Sequence, residues 1–126
     1  MSLESPLGKF LGYGSAKQGT EHWWAQKLTA VALVPLTLWF VIALLGVNIT
    51  DFAAPRVWIS QPVNAIPLIL LVIAGLYHSI LGLQVIVEDY VHGALKVVTL
   101  LALQLLHWAL AVAAIYSVIV ISVGTA

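Results

Sequence analysis

The chain has no cysteine, which excludes disulfides, thiol catalysis and iron–sulfur ligation by its own side chains. Charge is almost as scarce. Asp, Glu, Lys and Arg make up 8% of the 126 residues, against roughly 25% in a soluble domain, so an ordinary water-soluble globule is excluded. The few charges balance, with five Lys+Arg against five Asp+Glu. No basic surface exists to hold nucleic acid. No apolar stretch follows an early basic patch, and a cleaved secretory signal is not expected. Internal repeats and low-complexity tracts are absent, and the length suits a single domain, residues 1–126. With so few polar groups, function must rest on a handful of side chains or on a bound cofactor.

What the chain has in quantity is apolar sequence, 62% of it, gathered into three runs. The first covers about 28–47, the second 66–87 and the third 95–123. Each is long enough to cross a bilayer at 1.5 Å per residue, and the third is longer than needed, which predicts tilt or a protruding end. Pro35 lies within the first run and should kink it or free a carbonyl, which membrane helices tolerate. Pro67 is expected in the first turn of the second, where proline is acceptable. Residues 48–64 hold Asp51, Pro55, Arg56, Trp58 and Pro62 and read as a loop with an interfacial tryptophan. Residues 88–96, with Gly93, read as a short polar turn. Trp23 and Trp24 beside Lys27 read as an interfacial belt, and Gly12, Gly14 and Gly19 as a flexible approach to it.

The expected fold is an all-α membrane protein of three transmembrane helices, up-down-up. Three spans put the termini on opposite sides. Lys9, Lys17, Lys27 and Lys96 then share the side of the N-terminus, with Arg56 alone opposite. The positive-inside rule makes the N-terminal segment 1–27 cytoplasmic, together with the 88–96 turn.

Chemistry concentrates in residues 77–92. His78, Gly82, Val85 and Asp89 fall at i, i+4, i+7 and i+11 of a helix, on one face that also carries Gly75. An ionisable side chain within a span is costly and marks a functional candidate. His78 lies eleven residues before Asp89, about 16 Å along a helix axis. Two readings stand. A neutral imidazole there is a good axial haem ligand, with the glycines leaving a flat surface for something bulky. Alternatively, the histidine bonds a neighbouring helix and the glycines serve close packing. His107 should lie at similar depth on the third span. Packed helices are about 8–10 Å apart, tight for a porphyrin between two imidazoles, so His107 with Trp108 reads as a packing or hydrogen-bonding residue. Asp89 and Tyr90 form a second candidate site. The phenol can donate to a carbonyl oxygen and the carboxylate can relay a proton, a pair suited to a carbonyl-bearing lipid such as a quinone. The alternative is an interfacial tyrosine at an acidic helix end. His92 is expected to be solvated.

The pattern His78, Gly82, Gln84-Val85, Asp89-Tyr90-Val91 in the second of three spans closely resembles the D-type membrane-anchor subunit of succinate dehydrogenase, respiratory complex II. The segment Gly14-Ser15-Ala16, Gly19-Thr20-Glu21-His22-Trp23-Trp24, Lys27-Leu28-Thr29-Ala30 likewise resembles the approach to the first span in alphaproteobacterial-type members. The resemblance implies that His78 is one axial ligand of a haem b, a partner C-type anchor subunit giving the other. It implies that Gly82 flanks the cofactor, and that Tyr90 hydrogen-bonds a ubiquinone carbonyl with Asp89 beside it. Where family members often carry an arginine, near haem propionates or the quinone pocket, this chain has Lys27, implied at a haem propionate; lysine keeps the charge but loses the planar fork.

As partners the resemblance implies a flavoprotein subunit, an iron–sulfur subunit and membrane lipid, in a bacterial inner membrane. The complex would link the tricarboxylic acid cycle to the respiratory chain: soluble subunits oxidise succinate, and quinone near Tyr90 receives the electrons. The chain itself would perform no succinate chemistry. Two other classes compete. One is a self-contained small cytochrome b using His78 and His107. The other is a non-catalytic assembly or transport component, although few polar residues interrupt the spans as a transporter would require.

Overall fold

A computed structural model describes residues 15–124, with the side chains of 15–18 left undescribed. The expectations for Lys9, Gly12 and Gly14 fall outside the described residues, as does the side chain of Lys17. Four helices follow in order: α1 (Ser15–Leu45), α2 (Ala54–Ser60), α3 (Pro62–Tyr90) and α4 (Gly93–Gly124). Three contain segments long and apolar enough to cross a membrane: Gly19–Leu45, Pro62–Tyr90 and Gly93–Gly124, of 27, 29 and 32 residues.

The elements differ from the sequence expectations at their ends. α1 begins at Ser15, well before the apolar run at Leu28, and Gly19 sits inside it rather than in a flexible approach. Extending a formed helix adds one hydrogen bond per residue fixed, whereas starting one is costly, so polar residues join a helix nucleated by their neighbours. Pro35 also lies inside α1, which continues through it. The stretch between the first two spans is not all loop. α2 occupies its middle, with Pro55 at the start where its missing N–H costs nothing. Asp51 Oδ1 accepts the Ala53 N–H at 3.0 Å just ahead of α2. At the far end, Asn64 Nδ2 donates to the Trp58 carbonyl at 2.9 Å, and Trp58 stacks on Trp39 of α1 with centroids 5.7 Å apart.

α3 opens at Pro62, so Pro62 is the first-turn proline and Pro67 is internal. It runs to Tyr90, three residues beyond the expected end. The turn into α4 is accordingly short. Val91 is extended, its N–H still donating to the Val87 carbonyl, and Gly93 takes φ +68, a left-handed conformation natural to glycine. Lys96 Nζ donates to the Glu88 carbonyl at 3.5 Å, placing a cation by the negative end of α3.

The three long helices form a row. α3 packs against both α1 and α4, while no Cα of α1 comes within 8 Å of one in α4. The residues that meet across each seam run in opposite senses: Gln26, Thr29 and Leu33 of α1 face Gly82, His78 and Gly75 of α3. On the other side His107 faces Ser79 and Lys96 faces Glu88. Burial follows this layout. Among the described residues the buried ones are Ala65, Ile80, Leu81 and Val87 on α3 and Val118 on α4, so the core is small and lies mostly on the central helix. Large apolar side chains elsewhere are open, from Leu28 at 70% to Val123 at 70% exposed. A row one helix thick leaves both its faces to lipid or to other subunits.

Candidate functional site

His78 lies near the midpoint of α3, half-buried in the seam with α1. Both of its ring nitrogens meet that helix. Nδ1 is 2.9 Å from Thr29 Oγ1, and Nε2 is 3.5 Å from Gln26 Nε2. Thr29 has one hydroxyl proton, and this goes back to its own helix, to the Ala25 carbonyl at 2.8 Å with Gln26 O at 3.1 Å. Oγ1 therefore accepts from His78, which carries its proton on Nδ1. Nε2 is left with a lone pair, consistent with an amide nitrogen facing it.

The glycine face is covered through Gly82 and open beyond. A Cβ at Gly75 would stand 3.9 Å from Leu33 Cδ2, and one at Gly82 would stand 3.7 Å from Gln26 Nε2. Within this chain, then, the flat surface beside His78 receives α1 itself, as in close helix packing. Val85 and Asp89, further along the same face, are exposed.

The fit of a haem can be tested on these residues. Gln26 is the group that a macrocycle lying on Gly82 would displace, and it is weakly held. Its one contact to His78 is at the limit of hydrogen-bond length, and its Oε1 is buried without a partner among the described residues. Behind it, an imidazole with its proton fixed on Nδ1 presents Nε2, as metal-ligating histidines do when the other nitrogen is hydrogen-bonded. The arrangement fits one axial ligand. Among the described residues the seam with α1 brings no second histidine to it. His107 donates Nδ1–H to the Leu103 carbonyl at 2.8 Å on its own helix and accepts the Ser79 hydroxyl at Nε2, 3.2 Å away. Ser79 is one residue from His78, about 100° around the helix, so the two imidazoles serve opposite seams of α3.

The other site residues are placed as follows. Asp89 and Tyr90 end α3, both exposed, Tyr90 at 80%. Among the described residues neither side chain has a hydrogen-bond partner, whereas Glu88 accepts from Gln84 Nε2 at 3.0 Å. α3 is unbroken between them and His78, which keeps the separation at about 16 Å. Lys27 is exposed and its ammonium lies 5.6 Å from the centroid of Trp23 on its own helix. α1 thus offers His78 not Lys27 but Gln26 and Thr29, which stand with Leu33 at i, i+3 and i+7 on the seam-facing side. Their signal in the sequence was slight: two small polar residues at the margin of an apolar run. His22 Nε2, buried and without a hydrogen-bond partner among the described residues, lies one turn before Gln26. A shallow cavity of about 350 Å³ sits at the other end of the molecule, lined by Asn48, Asp51, Trp58 and Gln61 among others, and takes in none of these groups.

Comparison with known proteins bears on this arrangement. The family model described as the succinate dehydrogenase/fumarate reductase transmembrane subunit matches residues 1–121. The succinate dehydrogenase hydrophobic membrane anchor subunit of Paracoccus denitrificans is 32% identical over 116 residues, 90% of this chain and 88% of that one. The protein of the same name from Rickettsia bellii is 42% identical over 78 residues, 62% of each chain. That from Rickettsia conorii is 31% identical over 90 residues, 71% of each. No solved structure matches. Three apolar helices of spanning length and a family match over nearly the whole sequence agree: the chain belongs to the succinate dehydrogenase/fumarate reductase transmembrane subunits, as a membrane anchor.

Proposed function

We propose that this chain anchors a succinate:quinone oxidoreductase in a bacterial cytoplasmic membrane, carrying one axial ligand of a haem b and part of the ubiquinone-reduction site. His78 is the ligand, the second coming from a C-type anchor subunit. Tyr90 and Asp89 form this chain's share of the quinone site. A flavoprotein and an iron–sulfur protein dock on the cytoplasmic side and supply the electrons.

The observation that carries the reading is the continuity of α3. One unbroken helix holds at its middle an imidazole whose Nε2 faces only the weakly held Gln26 amide at 3.5 Å, and at its end a phenol and a carboxylate without a hydrogen-bond partner among the described residues. The bound haem would supply a one-electron iron centre. The chain's residues do the rest. Thr29 and the helix backbone hold His78, the phenol of Tyr90 donates to a quinone carbonyl oxygen, and the Asp89 carboxylate beside it relays a proton from the surface to the quinone. The opposite senses of the residues that meet at both seams support an up-down-up crossing. Lys27 and Lys96 at the Tyr90 end, with Arg56 at the other, support a cytoplasmic N-terminus. Trp23 and Trp24 at one end of α1 and the Trp39–Trp58 stack at the other support an interfacial level at each end. Along α1 these levels are roughly 22–24 Å apart.

Affinity purification of the tagged chain from native membranes tests the proposal. A flavoprotein, an iron–sulfur protein and a low-spin b-type spectrum should arrive together. Haem without partner subunits would instead identify a self-contained cytochrome, and partners without haem would leave an anchor with no cofactor.

A further inference from the structure

The hydroxyl of Thr29 is pinned at the seam between α1 and α3. It donates to the Ala25 carbonyl at 2.8 Å, which fixes its proton, and turns its lone pair to His78 Nδ1 at 2.9 Å. We propose that Thr29 is the positioning residue of His78, setting the ring's tautomer and plane so that Nε2 is the atom offered to a metal. This rests on the reading of His78 as a haem ligand.

Three features support it. First, a free imidazole chooses between two tautomers, and an acceptor at Nδ1 removes the choice. Second, the acceptor cannot turn away. Rotating the Thr29 hydroxyl toward the ring would forfeit its bond to the Ala25 carbonyl, and threonine's branched side chain has few rotamers in a helix. Third, among the described residues no other group hydrogen-bonds Nδ1, while the hydrogen-bonding neighbour of Nε2 is Gln26 at 3.5 Å. The two ring nitrogens are thus unequal: one is held by a short bond, the other covered by an amide whose oxygen has no partner among the described residues. Ligand exchange at Nε2 costs the protein one weak contact. The bond at Nδ1 survives it and, by drawing on the N–H, makes the imidazole a stronger donor.

A stronger donor favours the ferric state, which gives the hydroxyl a measurable effect apart from activity. The variants are Thr29→Val, which keeps the branched shape without the hydroxyl, and Thr29→Ser, which keeps the hydroxyl without the methyl. Each is expressed in the whole complex, with haem-to-flavin ratio and haem midpoint potential measured in membranes. The expected result is a haem potential shifted upward in Thr29→Val and returned to wild type in Thr29→Ser. Loss of haem from the valine variant alone supports the proposal equally, since only the hydroxyl separates the two. Wild-type haem content and potential in Thr29→Val overturn it. Equal loss of haem from both variants also overturns it, because the seam then needs threonine's shape and not its hydroxyl. His78→Ala serves as the control. If that variant keeps an unaltered haem, the ligand reading itself has failed; if it loses haem while Thr29→Val matches wild type, only the positioning role has.

Discussion

Ser79 Oγ lies 3.2 Å from His107 Nε2, one residue along α3 from the histidine that meets α1. The imidazoles of His78 and His107 therefore stand at about one level, in the two different seams of a single helix. Replacing each with alanine should separate their roles. His78→Ala should abolish the low-spin haem b spectrum of assembled membranes. His107→Ala should leave it intact and weaken only the α3–α4 seam, by about 0.6 kcal/mol if it behaves as a typical interhelical bond in a membrane. Reduced-minus-oxidised spectra check both. Haem lost from His107→Ala alone would reverse the assignment.

The glycines beside His78 allow packing and cofactor binding to be told apart. An alanine methyl at Gly75 or Gly82 meets Leu33 or Gln26 at ordinary contact distance, so α1 admits it. Alanine also gains about 0.5–1 kcal/mol over glycine within a helix. Thermal stability of Gly75→Ala and Gly82→Ala in detergent should equal or exceed wild type. If a macrocycle lies on the backbone at Gly82, the haem-to-flavin ratio should nevertheless fall in Gly82→Ala. A full haem complement there would show that Gly82 serves helix packing alone.

Gly93 makes a simpler prediction. Its φ of +68 costs an L-residue about 1–2 kcal/mol, and no contact obstructs a Cβ there. Gly93→Ala should lower stability by that amount, and Gly93→Asn by less, since asparagine tolerates the left-handed region better. Thermal denaturation of the purified complex measures the difference, and equal stability in both variants would refute a conformational cause.

Much of this was legible in the sequence, because a bilayer imposes long apolar runs and makes every polar interruption conspicuous. The three spans, His78 at mid-helix and Asp89-Tyr90 at its end follow from run length and spacing alone. Thr29 and Gln26 did not stand out, since a polar residue at the margin of a run is ordinary and its partner is 49 or 52 residues away. Only the pairing of α1 with α3 gives them a role. α2 was missed for a related reason: seven residues are too few to show a period, and Trp58 is held through its stack on Trp39. The early start of α1 reflects helix propagation into polar sequence, which composition does not record. The resemblance alone points Lys27 toward a cofactor; its ammonium lies 5.6 Å from the centroid of Trp23 on its own helix.

The orientation of the row can be tested by reporter fusion. A reporter active only outside the cytoplasm should work when fused near Asn64 and fail near His92, and a cytoplasmic reporter should do the reverse. The expected basis is Lys27 and Lys96 at one end against Arg56 at the other. Both loops on one side would mean that α3 does not cross the membrane, and the depth assigned to His78 would go with it.

Tyr90 is 80% exposed and its hydroxyl has no partner among the described residues. An aromatic at a membrane surface is commonplace, so the phenol oxygen has to be tested separately from the ring. Tyr90→Phe does this by removing one atom. A hydrogen bond at a partly buried site contributes about 0.5–1.5 kcal/mol, and leaving its partner unpaired costs about 1–3 kcal/mol. A loss of about 1.4–3 kcal/mol in transition-state stabilisation lowers quinone reduction roughly ten- to hundredfold. Succinate oxidation measured with an artificial acceptor that takes electrons upstream should be unchanged, because that chemistry belongs to other subunits. If quinone reduction proceeds at the wild-type rate, Tyr90 is an interfacial anchor. If both activities fall together, the tyrosine supports assembly. Only loss of the first with retention of the second assigns the phenol to the quinone.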